Sequence, residues 1–155
     1  MATPDDDGRE PLYLDDLRVG QRFTSATHTM DEQDMLEFAR RFDPQPFHLD
    51  HEAARSTLFG GLAASGWHTA GVTMWLQVTS GPPIAGGLIG AGAQIDWPRP
   101  TRAGETLRVE SEILEVRPSR SRPDRGIVTM RSTTLNQDDE VAQTLTVSMV
   151  VPRRP

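Results

Sequence analysis

The segment from Ser65 to Ser80, SGWHTAGVTMWLQVTS, carries no Asp, Glu or Arg, and it constrains the fold more than any other feature of the chain. So long an uncharged stretch predicts a helix buried on most sides, which needs other elements wrapped around it. The downstream sequence supplies them. After the loop GPPIAGG come LIGAGAQIDW and then ETLRVESEILEV, where Leu107, Val109 and Ile113 alternate with Arg108, Glu110 and Glu112. The switch to Leu114 and Val116 predicts a bulge. GIVTMRSTTL and EVAQTLTVSMVV follow, joined through NQDD as a hairpin, with Val141, Leu145, Val147, Met149 and Val151 on one face.

Upstream, VGQRFTSATHTM alternates weakly and predicts a first strand with Phe23, Ser25 and Thr27 on one side. Thr29-Met30-Asp31-Glu32 has the form of a capping box that opens a short helix with an apolar stripe of Met35, Phe38, Ala39 and Phe42. Pro44 ends that helix by Asp43, because a residue before proline avoids helical geometry. Asp50 predicts the cap of a second short helix, and Phe59-Gly60-Gly61 a mobile connection. One strand, short helices, one buried helix and then an antiparallel run of about four strands is an α+β pattern: a curved antiparallel sheet wrapped around a central helix. Residues 1–10 read as a flexible acidic tail and residues 11–155 as a single domain.

Composition removes several classes of function. The net charge of −6 argues against nucleic acid as a partner, since phosphate binding leaves a basic footprint. All 16 basic residues are Arg, so no Lys is present for Schiff-base or general-base work. The absence of Cys excludes disulfides, thiolate nucleophiles and Cys-ligated metals. No apolar run approaches the roughly 20 residues of a membrane helix, and the N-terminus lacks a signal-like apolar core. A soluble, cytoplasmic protein is expected.

Two places carry groups suited to chemistry. In FDPQPFHLD, Asp43 and His48 lie five apart with Pro44 and Pro46 stiffening the chain between them, so carboxylate and imidazole can share one water as a general acid/base pair. Spacing alone also allows a helix-ending Asp and a His satisfied within a turn. Ser65-Gly66 opens the uncharged helix, where free N–H groups and the helix dipole can hold a developing oxyanion; an ordinary Ser N-cap is the plainer alternative. His48, Asp50, His51 and His68 lack the spacing of a zinc site, so no metal is expected. Arg117, Arg120, Arg122 and Arg125 can bind the phosphates of a nucleotide-bearing substrate or form a solvated hairpin loop. Trp67 beside Gly66 is either core or the wall of a pocket.

The chain resembles the MaoC-like acyl dehydratases, the (R)-specific enoyl-CoA hydratases of the hot-dog fold, from YLDDLRVGQRF to the last strand. FARRFDPQPFHLD is similar to that family's motif of Gly-Asp-x-Asn-Pro-aliphatic-His, and the resemblance implies that Asp43 and His48 are the catalytic pair. The Gly of the family's His-Gly step falls on Gly66, which implies an oxyanion donor there. Phe42, Gln45 and Ser65 depart from the residues often found in the family and alter the pocket beside the reacting carbons, so Gln45 and Ser65, with Trp67, are expected to contact substrate. WPRPTRAGETLRVESEILEVRPSR resembles a strand common to hot-dog thioesterases and dehydratases, and marks the fold more than the activity.

The resemblance implies reversible syn addition of water to a trans-2-enoyl-CoA thioester. No cofactor is implied, coenzyme A being part of the substrate. It also implies a homodimer joined sheet edge to sheet edge, with higher homo-oligomers also open. A hot-dog acyl-CoA thioesterase and a non-catalytic acyl-CoA-binding protein are the alternatives.

Overall fold

The computed structural model describes residues 8–155. After a single 3-10 turn at Leu14–Asp16 come β1 (Arg22–Thr29), α1 (Glu32–Phe42), α2 (Pro46–Leu49), α3 (His51–Arg55) and α4 (Gly66–Ser80). Four strands complete the chain: β2 (Ile89–Asp96), β3 (Thr106–Pro118), β4 (Arg125–Leu135) and β5 (Val141–Pro152). They form one antiparallel five-stranded sheet in the order β1-β3-β4-β5-β2, left open with β1 and β2 at its edges. The α4 helix packs on the sheet through β1, β3 and β5. This is the α+β hot-dog arrangement.

The alternation read in β3 is realised: Leu107, Val109 and Ile113 are buried, and the register slips between Ile113 and Glu115 as the change of pattern requires. Met30, Met35, Leu76, Leu107 and Val109 form one core under α1 and α4, and Leu14, Ile84, Ile113, Val128, Met149 and Val151 form a second under the 3-10 turn. Each such fully buried side chain contributes about 1.5–3 kcal/mol. The turn NQDD forms as read, with Asn136 N–H donating to Glu140 O at 3.0 Å and Asp139 taking φ of 59°.

Several local readings differ. In β1 the register slips between Thr24 and Thr27, so Thr27 leaves the face shared by Phe23 and Ser25, and Ser25 Oγ instead accepts from Val109 N–H at 2.8 Å. The N-cap of α1 is Asp31, whose side chain accepts from Asp34 N–H at 3.1 Å. Thr29 stays in the β1 ladder, its hydroxyl 2.9 Å from that of Thr106. Pro46 does more than stiffen the chain between Asp43 and His48; it opens the one-turn helix α2, where a missing N–H is harmless.

The α4 helix is the largest departure. Its buried side is part polar: beside Val72 and Leu76, Thr69, Thr73 and Gln77 are buried and bond Thr101 (3.2 Å), Thr134 (2.7 Å) and the hydroxyl of Ser132. Its outward side is apolar, with Trp67, Met74, Trp75 and Val78 exposed. A chain without charges in this segment therefore buries only one face of the helix by itself. Of the tail expected over residues 1–10, residues 1–7 lie outside the described residues, and the Arg9 guanidinium donates to the carbonyls of Thr79 (3.2 Å) and Gly81. Among the described residues no helix is long and apolar enough to cross a membrane.

Candidate active site

The backbone brings Asp43 and His48 together by a proline-bounded turn. Asp43 leaves α1 with φ −150° and ψ 65°, the non-helical geometry that Pro44 imposes. Gln45 N–H donates back to Asp43 O at 2.8 Å, and Pro46 starts α2, whose third residue is His48. His48 Nε2 then lies 3.2 Å from Asp43 Oδ2.

The other ring nitrogen fixes the tautomer. His48 Nδ1 is 2.7 Å from the Ala63 carbonyl, which can only accept, so Nδ1 carries the proton. In the neutral imidazole the Nε2 lone pair therefore faces the carboxylate. Two acceptors at this distance need a proton between them or a water that donates to both. His48 is buried, with Phe47 at 4.6 Å and Phe59 at 5.9 Å between ring centroids.

Asp43 is held on both oxygens. Gln45 Nε2 donates to Oδ1 and Ser65 Oγ to Oδ2, each at 2.7 Å. Burial pushes its carboxyl upward, but the Ser65 hydroxyl, the Gln45 amide and the His48 imidazole outweigh that and leave it below its ordinary value. Asp43 is thus kept as a carboxylate.

Ser65 also links this pair to α4. It is the N-cap of the helix and its Oγ accepts from Trp67 N–H at 3.3 Å. The preceding N–H, that of Gly66, has no acceptor among the described residues. Gly66 must be Gly because Trp97 lies flat against it: a Cβ there would sit 2.7 Å from Trp97 Cε2. Trp97 is held in turn by Nε1–H to Gln143 Oε1 at 2.9 Å and by an edge contact with Trp67 at 5.1 Å.

These groups share one cleft of about 590 Å³, lined by Asp43, Gln45, His48, Phe59, Gly66, Trp67, Trp97 and Thr101 among others. All six residues singled out in the sequence are brought together, although Ser65 and Gln45 spend their side chains on Asp43. The remaining candidates disperse. Asp50 caps α3 through Ala53 N–H at 2.7 Å, His51 pairs with Glu32 at 2.8 Å, and His68 stacks on Phe38 at 4.9 Å. Arg117 stands 11 residues along β3 from Thr106, roughly 35 Å at the usual rise, so the hairpin arginines lie far from this cleft within one chain. Trp97, Ala63 and Arg102 were not anticipated. For Trp97 and Arg102 the signal was confined to WPRPTR, an aromatic followed by two prolines and two arginines, which marks a stiff segment without saying what it touches; nothing in the sequence marks Ala63.

The fold and cleft define a hot-dog domain of the dehydratase and hydratase type. Residues 17–136 match the sequence profile of the MaoC like domain, and the chain belongs to the MaoC-like dehydratase family. A solved MaoC-like dehydratase from Rhodospirillum rubrum is 60% identical, covering 93% of this chain and 99% of its own, with a TM-score of 0.91. An (R)-hydratase from Pseudomonas aeruginosa superposes with a TM-score of 0.73 at 28% identity, over 93% of this chain and 88% of that one. A 3-hydroxybutyryl-CoA dehydratase of Methylorubrum extorquens is 30% identical over 72% of this chain and 69% of its own length.

Proposed function

We propose that this protein is an (R)-specific enoyl-CoA hydratase, a hydro-lyase that reversibly adds water across a trans-2-enoyl-CoA thioester. The observation that carries the reading is the placing of His48, with Nδ1 on the Ala63 carbonyl and Nε2 directed at the Asp43 carboxylate, in a cleft that also presents an uncommitted N–H at the start of α4. A water donating one hydrogen to Nε2 and one to Oδ2 is oriented and made nucleophilic. Its oxygen bonds to C3 as the C2–C3 double bond breaks, and the proton it gives up to the pair is delivered to C2 on the same face. Charge gathers on the thioester oxygen meanwhile, where Gly66 N–H and the helix dipole are placed to stabilise it without reorganisation. Nothing in this sequence requires a metal or redox cofactor. Coenzyme A enters as the substrate's handle, and the reading carries with it a cytoplasmic location.

The active form is a homodimer in this reading. The support is the apolar outer side of α4, where Trp67 is 61% and Met74 41% exposed, beside the unpaired β2 edge with Ile89 54% exposed. A second copy covering both removes the edge and the apolar patch together. Sedimentation should show a dimer that Trp75→Glu weakens; a wild-type monomer at micromolar concentration overturns the dimer.

The activity is tested by following loss of the conjugated enoyl-thioester absorbance with crotonyl-CoA and longer analogues, with thiol release measured in parallel. Hydration without thiol release is expected. Thiol release from saturated acyl-CoA selects a thioesterase, and tight acyl-CoA binding without turnover across the panel selects a binding protein.

A further inference from the structure

Among the described residues, Arg102 gives its guanidinium to no carboxylate. Nη1 donates to Gly61 O at 2.8 Å and to Leu62 O at 3.0 Å, and Nη2 donates to Phe59 O. No backbone N–H among the described residues donates to these three carbonyls. The next carbonyl in the chain is Ala63 O, the one that accepts the Nδ1 proton of His48. The base of the arginine is itself fixed: its own N–H donates to Glu105 Oε2 at 2.9 Å, and the buried Glu105 also accepts from Arg99 (3.0 Å) and Asn136 (3.2 Å). A tethered cation therefore grips the segment through Gly60-Gly61 immediately before the acceptor that sets the imidazole.

This acceptor has something to oppose. Asp43 alone would favour the other neutral tautomer, since a carboxylate at 3.2 Å accepts well from an Nε2–H. That tautomer leaves Nε2 without the lone pair the proposed base needs. The Ala63 carbonyl is what tips the ring the other way, and it is effective only while its peptide points at Nδ1. Two glycines in the preceding residues, Gly60 at φ 63°, give that peptide no stiffness of its own.

We infer that Arg102 is a positioning residue which, by holding the carbonyls of Phe59, Gly61 and Leu62, keeps the Ala63 carbonyl on His48 Nδ1 and so keeps Nε2 available as the base. The inference rests on the proposed role of the Asp43–His48 pair, but its primary readout does not use activity. The same grip places the Phe59 ring beside Phe47 at 5.0 Å on the wall of the cleft.

The test is the pattern of ring-nitrogen correlations in protein labelled with 15N-histidine, compared between wild type, Arg102→Ala and Arg102→Lys. The wild type should show His48 with Nδ1–H in its neutral form. Arg102→Ala should move the population toward Nε2–H and lower kcat by about 10–100-fold, the range for removing a group that orients a functional imidazole, with KM changed far less. Guanidinium ion added at millimolar concentration should restore both the pattern and the turnover. Arg102→Lys reaches fewer carbonyls and should fall between the two; it serves alone if the alanine variant does not fold. An unchanged Nδ1–H pattern in a folded variant overturns the inference, as does lost turnover with that pattern intact. If the tautomer moves while the wild type hydrates no enoyl-CoA, the hydratase reading falls and the positioning role stands.

Discussion

Where β3 begins, Arg99, Arg102 and Arg108 give their guanidinium protons to Glu105, to the carbonyls of Phe59, Gly61 and Leu62, and to Asp139. Around its other end, at Pro118, the guanidiniums of Arg117, Arg120 and Arg122 have no hydrogen bond or ion pair among the described residues. The residue type and its charge are the same at both ends. What differs is the supply of fixed acceptors: a buried carboxylate and a row of unpaired carbonyls at one, solvent at the other. An arginine is an architectural part only where geometry gives its planar fork several acceptors at once.

The largest break in this contrast comes from the pair that the tied end supports. Asp43→Asn or His48→Gln should lower turnover by about 10²–10⁴-fold, the usual contribution of a positioned acid or base, with the circular dichroism spectrum unchanged. Variants as active as the wild type would remove the site from this cleft.

Ser65→Ala separates two smaller effects. Losing the cap on Trp67 N–H costs about 0.5–2 kcal/mol at every pH. Losing the hydroxyl that donates to Asp43 Oδ2 costs about 1.5–3 kcal/mol more, but only while Asp43 is ionised. The wild-type carboxyl is held below its unfolded value, so this stabilisation is complete above the unfolded value and is lost as pH falls through the folded one. Denaturant unfolding across acid pH should therefore show the wild type approaching the variant as pH drops, leaving only the cap difference. The acid limb of kcat/KM should move upward in the variant, because its carboxyl protonates more easily. Parallel stability curves for the two proteins would mean that Ser65 acts as a cap and nothing more.

Much of this was legible in the chain, and the parts that were not share a cause. The β3 alternation, its bulge and the end of α1 at Asp43 follow from local chemistry, and so they were readable. The Asp43–His48 meeting was legible through the family motif rather than through the chain between them: spacing left a helix-ending Asp and a satisfied His open, and the one-turn helix that Pro46 opens was not read. The polar part of the buried side of α4 was not legible, because Thr69, Thr73 and Gln77 are buried only where Thr101, Thr134 and Ser132 arrive to bond them from distant segments. Trp97 on Gly66, and Arg102 on carbonyls some 40 residues away in sequence, are likewise long-range facts. The Thr29 cap failed for a related reason: strand pairing with Thr106 held a residue that local propensity assigned to the helix.

The smallest expected effect sits at the free end. Arg120→Glu and Arg122→Glu remove exposed guanidiniums that hold nothing, so each should change stability by no more than about 0.5 kcal/mol. In one chain these side chains are also remote from the cleft, and kcat should be unaltered. KM for a coenzyme A thioester is the sharper measurement, because a protein of net charge −6 presents three unpaired cations together here. If the hairpin is a solvated loop, KM is as insensitive to these charge reversals as stability is. If KM rises with salt in the wild type and rises further in the variants, the free arginines meet the phosphates of a substrate bound mainly to another copy, since β3 separates them from the cleft of their own chain. Mixing a hairpin variant with Asp43→Asn would then recover activity in the mixed dimer, as one chain would keep an intact acid/base pair and the other an intact hairpin.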